Sequence, residues 1–166
     1  TLVQVVPGSF IMGSDHDDVD ERPAHEVVMN APFWLAQTEV TQAQYEAVVG
    51  HNPSVFAGRA LPVERVSWDD AMVFCQKLTA RERGAGRLPA TQEYRLPTEA
   101  EWEYCARGGA KGQGHRFSGS ATVRFVAWYV RNAASKTHPV AQLQANELGL
   151  YDMSGNVSEW CYDGWD

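Results

Sequence analysis

LYDMSGNVSEWC, Leu150 to Cys161, sets two carboxylates, Asp152 and Glu159, among large apolar and aromatic residues and bends the chain at Ser154-Gly155-Asn156. A carboxylate buried in such surroundings is costly unless a cation or hydrogen-bond donors meet it. The two stand seven positions apart, which in an extended strand would be about 23 Å. A turn has to intervene, and Gly155-Asn156 supplies one. Folding there can bring both carboxylates to one point with the carbonyls of Gly155 and Val157. Ca²⁺ suits such mixed oxygen donors, with waters or other residues completing its usual shell of about six to eight oxygens. The alternative is a hydrogen-bonded turn in which the carboxylates accept backbone N–H groups.

The rest of the chain bounds what this turn can belong to. Its 166 residues suit one domain, 1–166, with a real core, and 44% hydrophobic with 21% charged residues is ordinary globular usage. A net charge of −7 without a basic stripe argues against nucleic acid as a partner. No apolar run approaches bilayer length, so no membrane span is expected. TLVQVVPG lacks the basic start and apolar core of a signal peptide, and the expectation is a soluble chain, mature or trimmed from something longer. Cys75, Cys105 and Cys161 are 30 and 56 positions apart, with no paired spacing for zinc or redox chemistry. One bridge plus a free thiol would suit export and three thiols the cytosol, so localisation stays open.

Local signals sketch the elements. LVQVV and SFIMGS flank Pro7-Gly8 and predict a hairpin over 2–14. Asp15 to Glu21 is an acidic loop, HEVVM at 25–29 is β-prone, and Phe33 and Trp34 in the following segment are expected in the core. Thr41 with Gln44 makes a capping box, and Gly50 is placed to end that helix. Ser67 opens a second helix whose Ala71, Phe74, Cys75 and Leu78 recur at helical spacing up to Gly84. Thr98 with Glu101 caps a third, which Gly108-Gly109 closes. Beyond Gly109 the pattern loosens, and short strands and long connections rich in aromatics are expected, FVAWYV at 125–130 among them. The fold class is α+β with short helices, small sheets and much irregular chain.

Other candidate sites fall away. Asp15 and Glu26 occupy positions 1 and 12 of an EF-hand-like window, but position 6 is Asp20 rather than Gly and position 5 is Val19. The window therefore reads as a solvated loop, with His16 and His25 exposed. His51, His115 and His138 are scattered, and no Ser or Cys stands in a nucleophile-elbow context. Cys75 and Cys105 sit on apolar helix faces as packing residues, and Cys161 is assigned to burial too.

Seven stretches in order, PGSFIMGS, ERPAHEV, EVTQAQY, PVERVSWDDAMVFC, YRLPTEAEWEYCARGG, THPV and NELGLYDMSGNVSEWC, together resemble the formylglycine-generating enzyme, or sulfatase-modifying factor, family over nearly the whole chain. The resemblance implies an irregular α+β fold related to C-type lectins and stabilised by calcium. It also implies a calcium site formed by the Asp152 side chain, where some members carry Asn, the Gly155 and Val157 carbonyls, and the Glu159 carboxylate. VRNAASKTHPV does not match the family's further calcium site.

The family's enzymes oxidise a sulfatase cysteine to formylglycine with O₂ and Cu⁺ held by two closely spaced cysteines, soft ligands for a soft ion. Those cysteines lie beyond the GNVSEW-like motif, and Cys75, Cys105 and Cys161 do not match them. No catalytic residue is therefore assigned, and Cu⁺ is expected only if a C-terminal segment absent from this chain supplies the cysteines. Two functions follow as expectations. One is a domain of a copper-dependent, formylglycine-generating oxidoreductase. The other is a non-catalytic lectin-like scaffold, such as the variable proteins of diversity-generating retroelements. The partner in either is a protein or peptide, a sulfatase-like substrate or a target of the displayed surface. Iron-dependent sulfoxide synthases share the scaffold but need a histidine triad that nothing here resembles.

Overall fold

A bent two-stranded arm opens the chain. β1 (Leu2–Val5) and β2 (Gly8–Met12) run outward, and β3 (His25–Met29) and β4 (Phe33–Ala36) return. β2 pairs antiparallel with β3, Gly8 opposite Met29, and β1 with β4, Leu2 opposite Ala36. The hairpin expected about Pro7-Gly8 therefore does not form. Pro7 and Pro32 lie between the two ladders, one on each arm, and neither has an N–H to donate. The pairing is interrupted there and the arm bends instead of reversing. The reversal falls in the acidic segment, where Val19–Glu21 makes a 3₁₀ turn and Asp15 accepts from the Ala24 N–H at 3.0 Å. The computed structural model describes residues 1–16 and 19–164, so Asp17 and Asp18 of that acidic loop lie outside the described residues.

Alternation along the arm puts every second residue inward. Phe33 and Leu35 pack on the core, while Trp34, expected inside, is 56% exposed because it follows Phe33 on the opposite face. Three helices follow among the described residues: α1 (Gln42–Val49), α2 (Trp68–Gly84) and α3 (Glu99–Ala106). Each starts with the reciprocal cap its sequence encodes, at Thr41 with Gln44, Ser67 with Asp70 and Thr98 with Glu101. Gly50 ends α1 at φ 97°, a left-handed conformation open to glycine.

Two apolar clusters result. Val5, Tyr104, Cys105, Leu150 and Met153 join the arm, α3 and the late turn, with the Tyr104 hydroxyl donating to the Val6 carbonyl at 3.3 Å. Tyr45, Phe74 and Cys75 join α1 to α2, the Tyr45 and Phe74 rings stacking with centroids 5.4 Å apart. Cys75 and Cys105 are thus packing residues, as expected. The strands expected beyond Gly109 are absent among the described residues. FVAWYV instead leaves a 3₁₀ turn at Val123–Phe125 and buries Val126 and Ala127 in irregular chain. The architecture is α+β, short in every element but the 17-residue α2. No helix among the described residues is long and apolar enough to cross a membrane.

Candidate metal centre

The turn in LYDMSGNVSEWC is built by left-handed residues and long-range ties. Asp152 (φ 62°) and Asn156 (φ 72°) both adopt the left-handed region, which Asn and Asp tolerate better than most side chains. The Gly155 N–H closes onto the Asp152 carbonyl at 3.1 Å, and the Asn156 N–H donates to the Trp128 carbonyl at 2.9 Å. Position 155 has to be glycine. A Cβ there would collide with the Trp128 carbonyl oxygen and approach the Ala127 Cβ to 3.1 Å.

Asp152 is 4% exposed. Its Oδ2 accepts from the Ala141 N–H at 2.8 Å, while its Oδ1 is buried with no hydrogen-bond partner. Burial pushes this carboxyl above its usual range, the Ala141 N–H opposing. Glu159 receives the Trp102 indole N–H on Oε2 at 3.0 Å. The residue as a whole is exposed, while neighbouring chain lies close to its carboxylate. Loss of hydration pushes it upward, Trp102 opposing and Asp152 adding to the rise. The two expected carboxylates are therefore brought within electrostatic reach of each other. Among the described residues no donor meets the carbonyls of Gly155 or Val157.

Sequence reasoning missed Glu39. This residue is 7% exposed and grips the turn with both oxygens, Oε2 accepting from Asn156 Nδ2 at 2.8 Å and Oε1 from the Val157 N–H at 3.0 Å. Its carboxyl is pushed up to about 9 by burial, with the charges of Glu159 and Asp152 adding and the Val157 and Asn156 donors opposing. A lone acid in WLAQTEV just ahead of a helix cap was the only local hint of it. Asn156 also holds His138, accepting from its N–H at 3.0 Å and donating to its carbonyl at 3.1 Å. The His138 ring stacks on Trp128, centroids 3.8 Å apart. With Phe56, Leu61 and Lys136, His138 lines an open cleft of about 310 Å³.

The donor chemistry of the turn fits a hard cation. A buried carboxylate oxygen lacks a partner, a second carboxylate, on the exposed Glu159, has one oxygen met by Trp102, and two carbonyls lack donors. Among the described residues no three His, Cys, Asp or Glu side chains form a ligand cluster on their own, so a cation here would need the backbone oxygens. The thiols show no comparable arrangement. Cys75, Cys105 and Cys161 are unbridged and lie in separate places. Burial, with help from Glu101, pushes Cys105 up to about 12, and burial with Asp163, Glu99 and Glu159 pushes Cys161 up to about 11.

Comparison with known proteins places this fold in a family. The family model for the sulfatase-modifying factor enzyme 1-like domain matches residues 1–166. The chaperone protein LppX of Paenibacillus barcinonensis is 39% identical over 173 residues, 79% of this chain and 62% of that protein. The formylglycine-generating enzyme of Streptomyces coelicolor is 36% identical over 174 residues, 98% of this chain and 46% of the enzyme. Among solved structures, Treponema denticola variable protein 1 superposes with a TM-score of 0.87 at 31% identity, over 99% of this chain and 73% of that one. The chain thus spans less than two thirds of the length of these curated relatives.

Proposed function

The chain belongs to the sulfatase-modifying factor family of the formylglycine-generating enzymes, and from that premise we propose that residues 1–166 are a calcium-clamped recognition scaffold. Asp152 and Glu159 would hold Ca²⁺ through their carboxylates and Gly155 and Val157 through their carbonyls. The ion would supply positive charge where Glu39, Asp152 and Glu159 repel one another. The observation that carries this reading is the buried Asp152 Oδ1 without a partner, since an orphaned buried oxygen demands one. Through Asn156 the same turn fixes the His138 wall of the cleft, and a protein or peptide ligand is assigned to that surface.

Thermal melts in chelator and in CaCl₂ test the clamp. At a hundredfold excess over Kd, Ca²⁺ adds about 2.7 kcal/mol, about 5–10 °C in Tm for a chain of this size. An unchanged Tm in both the wild type and Glu159→Ala would sink the calcium assignment. Selection from a displayed random-peptide library tests recognition: enriched binders should weaken on Phe56→Ala, and no enrichment counts against the cleft.

A second reading, copper-dependent oxidation of a sulfatase cysteine, is favoured by the identity to the Streptomyces enzyme. It requires thiolates beyond the three described here. A Cu⁺ titration of the full-length protein with a formylglycine assay on a sulfatase peptide decides it: turnover lost on replacing a downstream cysteine pair supports oxidation, and none with Cu⁺ supplied refutes it.

A further inference from the structure

The geometry points to Glu39 as the positioning residue of the metal turn, the group that fixes the shape in which the backbone carbonyls face a cation. This inference rests on the calcium reading and extends it to a side chain 113 positions before Asp152.

The peptide planes transmit the effect. A trans peptide carries its C=O and N–H on opposite sides. The Asn156 N–H is pinned to the Trp128 carbonyl at 2.9 Å, so the Gly155 carbonyl of that peptide unit is directed away from Trp128. The next unit carries the Val157 N–H, which is pinned to Glu39 Oε1 at 3.0 Å. Glu39 therefore holds the plane that separates the two carbonyl donors, Gly155 before it and Val157 after it. Its other oxygen takes the Asn156 side-chain amide at 2.8 Å, anchoring a residue that sits at φ 72° and has little intrinsic preference for staying there.

Both Glu39 oxygens are spent on the turn, which is why it acts through the ligands. Two donors face two separate oxygens of Glu39, and a Gln, with a single oxygen, can meet only one of them. The position of Glu39 two residues before Thr41, the cap of α1, ties it to a rigid element. The turn is thus set by the first third of the chain although all its donors lie in the last.

Terbium, a luminescent stand-in for Ca²⁺ with Trp102 as sensitiser beside Glu159, tests this on the whole chain. Glu39→Gln should bind Tb³⁺ weaker by on the order of 10–100-fold. Luminescence lifetimes in H₂O against D₂O should show at least one added coordinated water, which a general loss of stability would not produce. Glu39→Asp, too short to span both donors, should not restore affinity. Wild-type binding with equal affinity and hydration in Glu39→Gln overturns the positioning role and leaves the calcium reading standing. No wild-type binding removes the calcium reading and this inference with it. If Glu39→Gln does not fold, Asn156→Gly takes its place, since glycine keeps the left-handed backbone while removing the anchored amide. Several-fold weaker binding there supports the role, and unchanged affinity refutes it.

Discussion

Replacing Asp152 with Asn should reverse sign with calcium. Without the ion, the wild type buries a carboxylate whose Oδ1 has no partner. Asn keeps an oxygen for the Ala141 N–H at 2.8 Å, removes the buried charge and suits φ 62° at least as well. Its Nδ2 takes the unpartnered place, so the gain is the difference between a charged and a neutral unsatisfied group, the neutral one costing about 1–3 kcal/mol and the charged one more; the variant should gain about 1–2 kcal/mol in chelator. For a chain of this length that is about 2–8 °C. With Ca²⁺ at a hundredfold excess over the wild-type Kd, the wild type gains about 2.7 kcal/mol. A variant weakened about a hundredfold in affinity gains only about 0.4 kcal/mol by the same relation. The wild type should then melt higher. Paired thermal scans in EGTA and in CaCl₂ read both orders directly. If Asp152→Asn lowers Tm equally in both buffers, the carboxylate is only a hydrogen-bonded strut and no cation is needed to explain it.

In chelator, stability should fall as pH rises, because the folded state raises Glu39 from the usual 4.5 to about 9. The folded chain then holds a proton the unfolded one releases, and the contribution is complete below about pH 4.5 and lost toward pH 9, with a slope of at most about 1.4 kcal/mol per pH unit. Urea melts across that range should show the decline, shallower in Glu39→Gln; stability rising over the same window would contradict it. Gly155→Ala forces the turn off the Trp128 carbonyl and should cost about 2–3 kcal/mol in urea unfolding; a change under about 0.5 kcal/mol would mean the approach is not tight. Thr98→Ala removes the cap of α3, and a loss of about 1 kcal/mol is expected, with no loss refuting the cap's role. In thiol titration at pH 8, Cys105 should stay silent until unfolding and half-buried Cys161 should react slowly; fast labelling of both would refute their assigned burial.

What was legible from sequence was what is local. Two of the three capping boxes, the start of α2 at Ser67, Gly50 and the apolar face of α2 were readable because their partners lie within a few residues. The pairing of the arm was not, because Pro7-Gly8 offers the same signal whether it reverses the chain or bends it. The choice depends on β3 and β4, which offer SFIMGS and LVQVV a longer joint ladder than they could make with each other. Trp34 was misplaced for a related reason: burial statistics apply to a residue type, whereas the strand's alternation assigns the face. Asp152 and Glu159 were found because they flank a turn visible in the sequence. Glu39 could not be, since its partners Asn156 and Val157 stand 117 and 118 positions away.

The absence of strands beyond Gly109 among the described residues leaves backbone groups that a sheet would otherwise pair, and Asn and Asp side chains take over that work. Asn132 accepts from the Tyr129 N–H and donates to the Ala127 carbonyl, at 2.7 and 3.0 Å. Asn146 accepts from the N–H groups of Leu148 and Leu150 and donates to the Cys105 carbonyl on α3. Asn156 and Asp152 do the same for His138 and Ala141. Each amide satisfies several groups at once, which keeps an irregular buried chain tolerable. Asp152 breaks the pattern, because a carboxylate can only accept and its second oxygen is left over. Trp128 Nε1 and Thr137 Oγ1 are also buried without a partner in this half of the chain, but both can donate, whereas the Asp152 oxygen can only accept, so it is at the turn that the proposed cation would complete the bonding.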